Sequence, residues 1–405
     1  MGGGIFQINI KGKQDIKLVG NPQVNFLKQQ YLQHVNFSSE FVKLEPRETA
    51  NFGRKFTFKF KNTADMLHQI YFCFSLPVLT PTSGTYAGWT NSIGHAIIDN
   101  IELSVAGDVI DKKTGLFMEL WHELTTKGTL GSSDDKMIGK FKHTQLLQYN
   151  AETATNYMVF IPFWFCKDLS SSFPLIALYF QELTITITLK NFDECIVYDG
   201  TTLPNNVDMY DVYLLAENIY LGEKERLITR NSSHKYIINQ TQYSEPRSIG
   251  LSGFSHNPLS FNHPVYELIF VIRETLSDDN NDWFNFAIRN NIVNTEIIEF
   301  IESANLITDG IEKTKEMTPS HVLNILNCKR YHTNTTDKFI YLFSFCNNPE
   351  SNYQPSGFLN FSSIDTVDLV MKIKNTIPAA NLHVFALNWN FIEIDDGRLY
   401  LEFFT

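Results

Sequence analysis

Few residue pairs in this 405-residue chain stand at spacings that catalysis or metal binding would use. Glu119 and His122 form a Glu-x-x-His pair, half of the motif with which helix bundles hold two iron ions. That chemistry needs a second such pair and two further carboxylates. No second Glu-x-x-His occurs, so both residues are expected on the solvated face of a helix. Asp278-Asp279-Asn280-Asn281-Asp282 opens like a calcium loop, but Trp283 occupies the glycine position and Arg289 stands where the closing glutamate belongs. An exposed polar loop is expected there. Gly250-Leu251-Ser252-Gly253 fails as a nucleophile elbow because Phe254 replaces the final glycine. His256 and His263 flank Pro258 without a cysteine or carboxylate cluster beside them, and read as turn packing rather than metal ligands. Phosphate-cradling glycine loops are absent, and no carboxylate pair for glycoside hydrolysis can be nominated. The sequence therefore names no catalytic, cofactor-binding or metal-binding residue, implies no cofactor, and does not read as an enzyme.

Composition narrows the class. Aromatics make up 14% of residues, with 33 Phe and 17 Tyr, against 19% charged residues. Such a chain favours large buried sheet surfaces and extensive contacts between chains. The formal net charge of -11, without a Lys/Arg-rich run, sets it against phosphate backbones, so direct nucleic-acid binding is not expected. The five cysteines, Cys73, Cys166, Cys195, Cys328 and Cys346, are scattered and form no Cys-x-x-Cys pair; buried free thiols in a reducing compartment account for them. The start Met-Gly-Gly-Gly-Ile-Phe has neither the charged nor the apolar region of a signal peptide. Phe6 also stands where a myristoylation site needs Ser or Thr. No apolar run is long enough to form a transmembrane segment. Of the sequons at Asn36, Asn231, Asn239, Asn334 and Asn360, those at Asn231 and Asn334 have loop-like surroundings and are the two candidate glycosylation acceptors.

The elements that would position any site are strands. Leu183, Ile185, Ile187 and Leu189 alternate with Thr184, Thr186 and Thr188, the pattern of a strand with one buried and one wet face. Pro174–Phe180 is a short apolar run that suits a strand buried on both faces. Phe56, Phe58 and Phe60 alternate with polar residues, as do alternate positions from Ile70 to Leu76. Ile97–Val109 is expected to form a hairpin around Gly107-Asp108. Gly115–Thr126 switches period: Leu116, Leu120, Trp121 and Leu124 recur at helical spacing. A strand over Asp211–Leu221 closes a first half, and Gly222–Arg230 is a polar helical connector. Further strands are expected at Lys235–Gln242, Tyr266–Arg273, Lys338–Phe345, Val367–Lys374, Leu382–Ile394 and Leu399–Phe404. Trp283–Phe300 is ambiguous between helix and strand. A chain of this length suggests two domains of roughly 200 residues each, and many short strands argue for sandwiches or barrels.

Six segments, taken together, resemble the major capsid proteins of nucleocytoplasmic large DNA viruses. They are Gly20-Asn21-Pro22-Gln23 with Phe26, Lys28, Tyr31, His34, Asn36 and Phe37; Ile101-Glu102-Leu103 through Ile110-Asp111-Lys112; Pro174-Leu175-Ile176-Ala177-Leu178 with Glu182; Glu225-Arg226 followed by Tyr236-Ile237-Ile238 and Gln240; Phe261-Asn262-His263-Pro264 with Glu267-Leu268; and Pro355-Ser356-Gly357 with Asn360-Phe361-Ser362 and Ile364-Asp365. They occur in the family's order and cover nearly the whole chain. The sequence departs from the pattern at Leu32-Gln33, where the family has a basic pair, and at Glu393–Tyr400, which replaces a flexible ending.

The resemblance implies an all-β double jelly roll: two tandem eight-stranded jelly rolls with short helices in loops and connector. Residues 1–23 would be an arm, 24–221 the first jelly roll, 222–234 the connector and 235–405 the second. It implies a structural capsid protein that forms homotrimers, which pack with neighbouring capsomers into the icosahedral shell of a virion made in host cytoplasm. Minor capsid proteins or inner-membrane proteins would be partners, engaged through the arm. A minor capsid or scaffold paralogue of the same fold, or a jelly-roll carbohydrate-binding protein or glycosidase, are the other readings the sequence leaves open.

Overall fold

Phe56, Phe58 and Phe60 alternate with half-exposed neighbours because their strand lies on one face of a barrel core, and each is fully buried or nearly so. That barrel uses eight strands in chain order: β1 (Phe37–Leu44), β2 (Lys55–Phe60), β3 (Met66–Leu76), then, past a short ribbon strand β4 (Ala87–Trp89), β5 (Ile98–Val105), β6 (Asp108–Thr114), β7 (Thr155–Phe160), β8 (Leu183–Leu189), and, past the ribbon partner β9 (Ile196–Tyr198), β10 (Tyr210–Leu221). One sheet runs β1-β10-β3-β7 and the other β2-β8-β5-β6, with every pairing antiparallel. Strands that alternate between two facing sheets in this order make a jelly roll.

The second half repeats the plan. Its strands are β11 (His234–Ser248), β12 (Gly253–Leu259), β13 (Pro264–Glu274), β14 (Ile301–Thr308), β15 (Ile311–Glu312), β16 (Thr318–Pro319), β17 (Tyr341–Ser344), β18 (Leu359–Asn360), β19 (Val367–Ile373), β20 (Ala380–Asp395) and β21 (Arg398–Leu401). The sheets run β11-β20-β13-β17 and β12-β19-β14-β15, while β16 pairs with β14, β18 with β13 and β21 with β20. Strand for strand this is the order of the first barrel, so the chain is a double jelly roll.

The computed structural model describes residues 3–10, 12–13, 19, 21–29, 32–60, 64–127, 133–141, 147, 151–288, 298–351, 354–374 and 377–403. Two compact units separate at Met1–Asn36 and Phe37–Thr405. The described part of the first unit holds one helix, Gly3–Asn9. Strands do not begin at Val24, as the sequence suggests, but at Phe37. Around Phe26 the Asn25 side chain accepts a hydrogen bond from the Leu27 N–H at 2.9 Å, a local turn that competes with pairing.

Several elements depart from expectation for identifiable reasons. Pro174–Phe180 is not a strand: Phe173 makes a single bridge with Leu67, and Leu175–Ala177 is one 3-10 turn. Its residues are apolar because Leu175, Ala177 and Leu178 plug the first core, not because they pair. On β8 the threonine face is drier than expected. Thr186 is buried, and Thr184 shares a 2.7 Å hydrogen bond with Ser104 on the neighbouring strand. The β5–β6 turn is centred one residue earlier than Gly107-Asp108. Ala106 and Gly107 carry φ values of 54° and 99° between the paired Val105 and Asp108, the left-handed geometry that two-residue hairpins demand. The connector is a helix, Glu223–Asn231, and β11 runs six residues beyond the expected Gln242 to Ser248. Within Trp283–Phe300 a bridge joins Ile288 to Ile298, and residues 289–297 lie outside the described residues.

Length explains what β11 and β20 do. At about 3.4 Å per residue, the 15-residue β11 and 16-residue β20 each outrun one barrel. Leu382, Val384 and Ala386 of β20 sit in the second core, while Ile392 and Ile394, with Ile238 of β11, belong to the first. Tyr236, Leu399 and Leu401 pack against the same first core. The second half of the chain thus supplies part of the first barrel's floor. A fragment of residues 37–231 is expected to lack a cooperative thermal transition and to bind a hydrophobic dye, whereas residues 37–405 melt cooperatively; calorimetry and dye fluorescence on both proteins check this.

Candidate functional site: the seam between the barrels

Gly115–Thr125 is the helix that the change of period signals. Thr114 caps it, its hydroxyl accepting from the Phe117 N–H at 3.2 Å. The residue at 115 must be glycine on steric grounds: an added Cβ would lie 2.1 Å from the His95 carbonyl oxygen and 2.4 Å from that of Ile98. This contact lets the helix lie flush on the first barrel. Met118 enters the first core. Phe117, Leu120 and Leu124 enter a third cluster with Tyr266, Ile269, Val271, Leu342, Phe385 and Trp389 of the second barrel. The rings of Phe117 and Phe385 meet at 5.6 Å. The helix is a wedge buried on more than one face.

The polar residues of that helix are therefore not solvated, which corrects the expectation for Glu119. Glu119 is fully buried. Its carboxylate accepts from Lys338 Nζ at 3.0 Å and from His95 Nδ1 at 2.8 Å, with Lys140 Nζ at 3.4 Å and the Ser92 hydroxyl at 3.2 Å. Glu123 pairs with Lys140 and Lys338, each at 2.8 Å. His122 turns to Asp135 at 3.2 Å. Lys338 belongs to the second barrel, and so does the loop before it. In that loop the Asn334 side chain donates to the Glu123 carbonyl and the Asn334 N–H to the Leu124 carbonyl, both at 2.9 Å. One barrel thus satisfies the last carbonyls of a helix in the other, groups a helix leaves unpaired.

Burial alone would raise the Glu119 carboxyl, but the Lys140 and Lys338 ammoniums and His95 outweigh it and hold the group well below the usual carboxylate range. Glu123 is lowered in the same way, burial being offset first by Lys338. His95 moves down because its burial outweighs Glu119, so it stays neutral and serves as a donor. A second buried pairing lies beside Trp121. His332 sits between Glu267 at 3.1 Å and Glu350 at 3.2 Å, its ring edge-on to Trp121 at 5.9 Å. Burial would push this imidazole down, yet the two carboxylates raise it to about 9.

A third bridge joins sheet edges. The Asp111 carboxylate accepts from Lys113 Nζ at 3.0 Å and from the Thr241 N–H at 3.1 Å, and Lys113 also donates to the Thr241 hydroxyl at 2.6 Å. β6 and β11 are tied by side chains where backbone pairing stops.

The structure does not bring the other singled-out residues together as a site. His256 pairs with Asp368 on the surface, and His263 stacks on Phe403. Asp278 is taken by Arg273. Asn231 ends the connector helix, exposed, while Asn334 is half-buried. All five cysteines are free and buried. Among the described residues no three metal-ligating side chains converge, and no helix is long and apolar enough to cross a membrane. Sequence reasoning missed Lys338, His332 and Asn334 as seam residues. A signal existed on the helix: Leu116, Phe117, Met118, Leu120, Trp121 and Leu124 leave little of its circumference polar, which marks burial on several sides.

Comparison with known proteins bears on what such a seam is for. Residues 25–222 match the family described as major capsid protein N-terminus, and residues 225–399 match large eukaryotic DNA virus major capsid protein. The major capsid protein of Pyramimonas orientalis virus is 30% identical over 422 aligned residues, covering 98% of each chain. The chain belongs to the major capsid protein family of large eukaryotic DNA viruses. It is a structural component of the capsid. The major capsid protein of Phaeocystis pouchetii virus is 24% identical, again over 98% of both chains. Among solved structures, a subunit of the PBCV-1 virus capsid superposes with a TM-score of 0.81 at 19% identity, covering 94% of this chain and all of that one. The Faustovirus major capsid protein follows at 0.69 and 13%, covering 95% and 94%. At those identities the likeness is one of fold.

Two outcomes are expected of this capsid protein's seam. Glu119→Ala removes the fully buried partner shared by Lys140 and the half-buried Lys338, leaving them Glu123 and the more distant Asp135. It should cost about 3–5 kcal/mol, read as a lowered denaturant midpoint. His332 has a folded pKa above the ~6.5 of free histidine. Its pairing therefore stabilises fully below about pH 6.5 and is lost as pH rises through about 9. The stability gap between wild type and His332→Asn should be on the order of 3 kcal/mol near pH 6 and should close by about pH 9.5. Denaturation at several pH values checks it.

Proposed function

We propose that three copies of this chain close into a pseudo-hexagonal capsomer, and that these capsomers tile an icosahedral shell. The observation that carries this is an apolar face on the first barrel. Phe41 on β1, Tyr71 on β3 and Phe160 on β7 form an aromatic row on the outer side of one sheet, with ring separations of 6.3 and 5.5 Å. Phe41 is 54% and Phe160 37% exposed. Exposed aromatic rows of this kind mark contact surfaces. Two barrels of like strand order in one subunit give a closed ring of three subunits six similar sides, and a ring requires a heterologous contact that closes. An obligate contact of this kind buries on the order of 2,000–5,000 Å².

The rest of the reading follows the same division. Residues 1–23 act as an arm that engages minor capsid or inner-membrane proteins; 24–221 and 235–405 are the two jelly rolls, and 222–234 the connector. Assembly takes place in host cytoplasm, which suits five buried thiols. Of the two candidate sequons, Asn231 is the accessible acceptor, exposed at a helix end. The amide of Asn334 is already engaged with Glu123.

Replacing Phe41 and Phe160 together by Glu should convert the trimer to monomer in native mass spectrometry while leaving the monomer's circular dichroism unchanged. A trimer that survives both charges, or a wild-type protein that is monomeric at micromolar concentration, contradicts the reading.

A further inference from the structure

A cavity of about 180 Å³ opens on the seam beside the helix wedge, and both barrels line it, with His95 of the Glu119 cluster among the lining residues. Lys190 follows β8 of the first barrel. Arg273 on β13, Trp283, and His383 and Tyr243 on β20 and β11 come from the second. We propose that this cavity is a binding site for one small tetrahedral oxyanion of the phosphate class, which ties the first barrel to the second.

Lys190, Arg273 and His383 supply the nitrogen donors of the lining, and Asp99 is its one carboxylate. Lys190 Nζ lies 3.4 Å from the centroid of the Trp283 ring, and the Arg273 guanidinium carbon lies 5.2 Å from the same centroid. An indole face holds two cations side by side without neutralising either. Among the described residues Arg273 has its own counter-charge in Asp278, and one of its Nη atoms donates to the Trp283 carbonyl at 3.1 Å. Lys190 forms no ion pair with any described carboxylate. Three carboxylates lie within its electrostatic reach, Glu194, Asp99 and the Asp278 that Arg273 already holds, and each has a partner of its own. Glu194 accepts from the Asn191 N–H at 2.9 Å, and Asp99 from the Asn100 side chain at 2.8 Å.

His383 completes the set. Its Nδ1 lies 2.7 Å from the Tyr243 hydroxyl. With that O–H donating to Nδ1, the proton of a neutral imidazole sits on Nε2. Nε2 is buried and has no hydrogen-bond partner among the described residues. Burial, then the fields of Arg273 and Lys190, push this imidazole down to about 3, so the site's charge is carried by the lysine. An ammonium buried in this way is costly unless an anion joins it. Water occupies about 30 Å³ per molecule in the liquid, so the cavity has room for a phosphate with a few waters and none for a nucleotide.

The test uses the full-length protein and inorganic phosphate. Isothermal titration and thermal melting are run in phosphate against chloride at matched ionic strength, with sulfate and acetate as further arms. One phosphate per chain should bind, sulfate should compete, and the melting temperature should rise in phosphate above its value in chloride. Lys190→Met should weaken binding by on the order of tenfold or more without lowering the melting temperature in chloride. His383→Phe, which keeps the ring stacked on Tyr243, should weaken it less. Lys235→Met, at an exposed pair with Glu402, should bind like wild type. Absence of saturable phosphate binding to wild type, wild-type affinity in both cavity variants, or acetate displacing phosphate more effectively than sulfate does would overturn the assignment. Should Lys190→Met fail to fold in chloride, the wild-type stoichiometry and His383→Phe still decide.

Discussion

The first barrel does not finish its own interior, and the rest of the molecule is arranged around that shortage. The first core borrows Ile238, Ile392 and Ile394 from the second barrel's longest strands. The cluster between the barrels exists only when Phe117, Leu120 and Leu124 of a first-barrel helix meet Tyr266, Phe385 and Trp389. Burying a side chain of this size contributes about 1.5–3 kcal/mol, so the shared surfaces hold the barrels as one body. Two sandwiches joined only by the connector helix would have left these residues in water.

Hydrophobic contact is non-directional, and by itself would let one barrel slide over the other. The polar groups at the seam supply the missing register. Glu119 and Glu123 meet Lys338 in one placement of the barrels, and Asn334 reaches the helix carbonyls only in that placement. Buried ion pairs add little net stability because desolvation offsets attraction. Their value here is in specifying a single arrangement. A subunit that tiles a shell needs a defined shape more than it needs extra stability.

Much of the barrel architecture was legible in the residues. Alternation found β2, β3 and β8, the Asp211–Leu221 reading found β10 almost to the residue, and the polar connector is a helix. Alternation is readable wherever one face of a strand is wetter than the other. It misled where burial had another cause: Pro174–Phe180 is apolar because it plugs a barrel end. It was silent for β1, whose pattern is exposed along most of its length, and for β12, β14 and β15. The seam was harder still. A Glu-x-x-His pair looks the same whether solvated or buried, and its partner Lys338 lies 219 residues away. Only the nearly all-round apolarity of the Gly115–Thr125 helix hinted that its few charged residues would be enclosed. Family resemblance supplied the fold's identity where patterning supplied its parts.

The reach of β20 into the first barrel has a temporal side. During synthesis the first ten strands leave the ribosome long before Ile392 and Ile394. At roughly 5–20 residues per second, the nascent first barrel waits on the order of ten to thirty seconds with an uncovered apolar floor. Contacts of such long sequence separation form slowly, and an exposed core invites association with other nascent chains. This interval is the period in which the polypeptide most needs a chaperone.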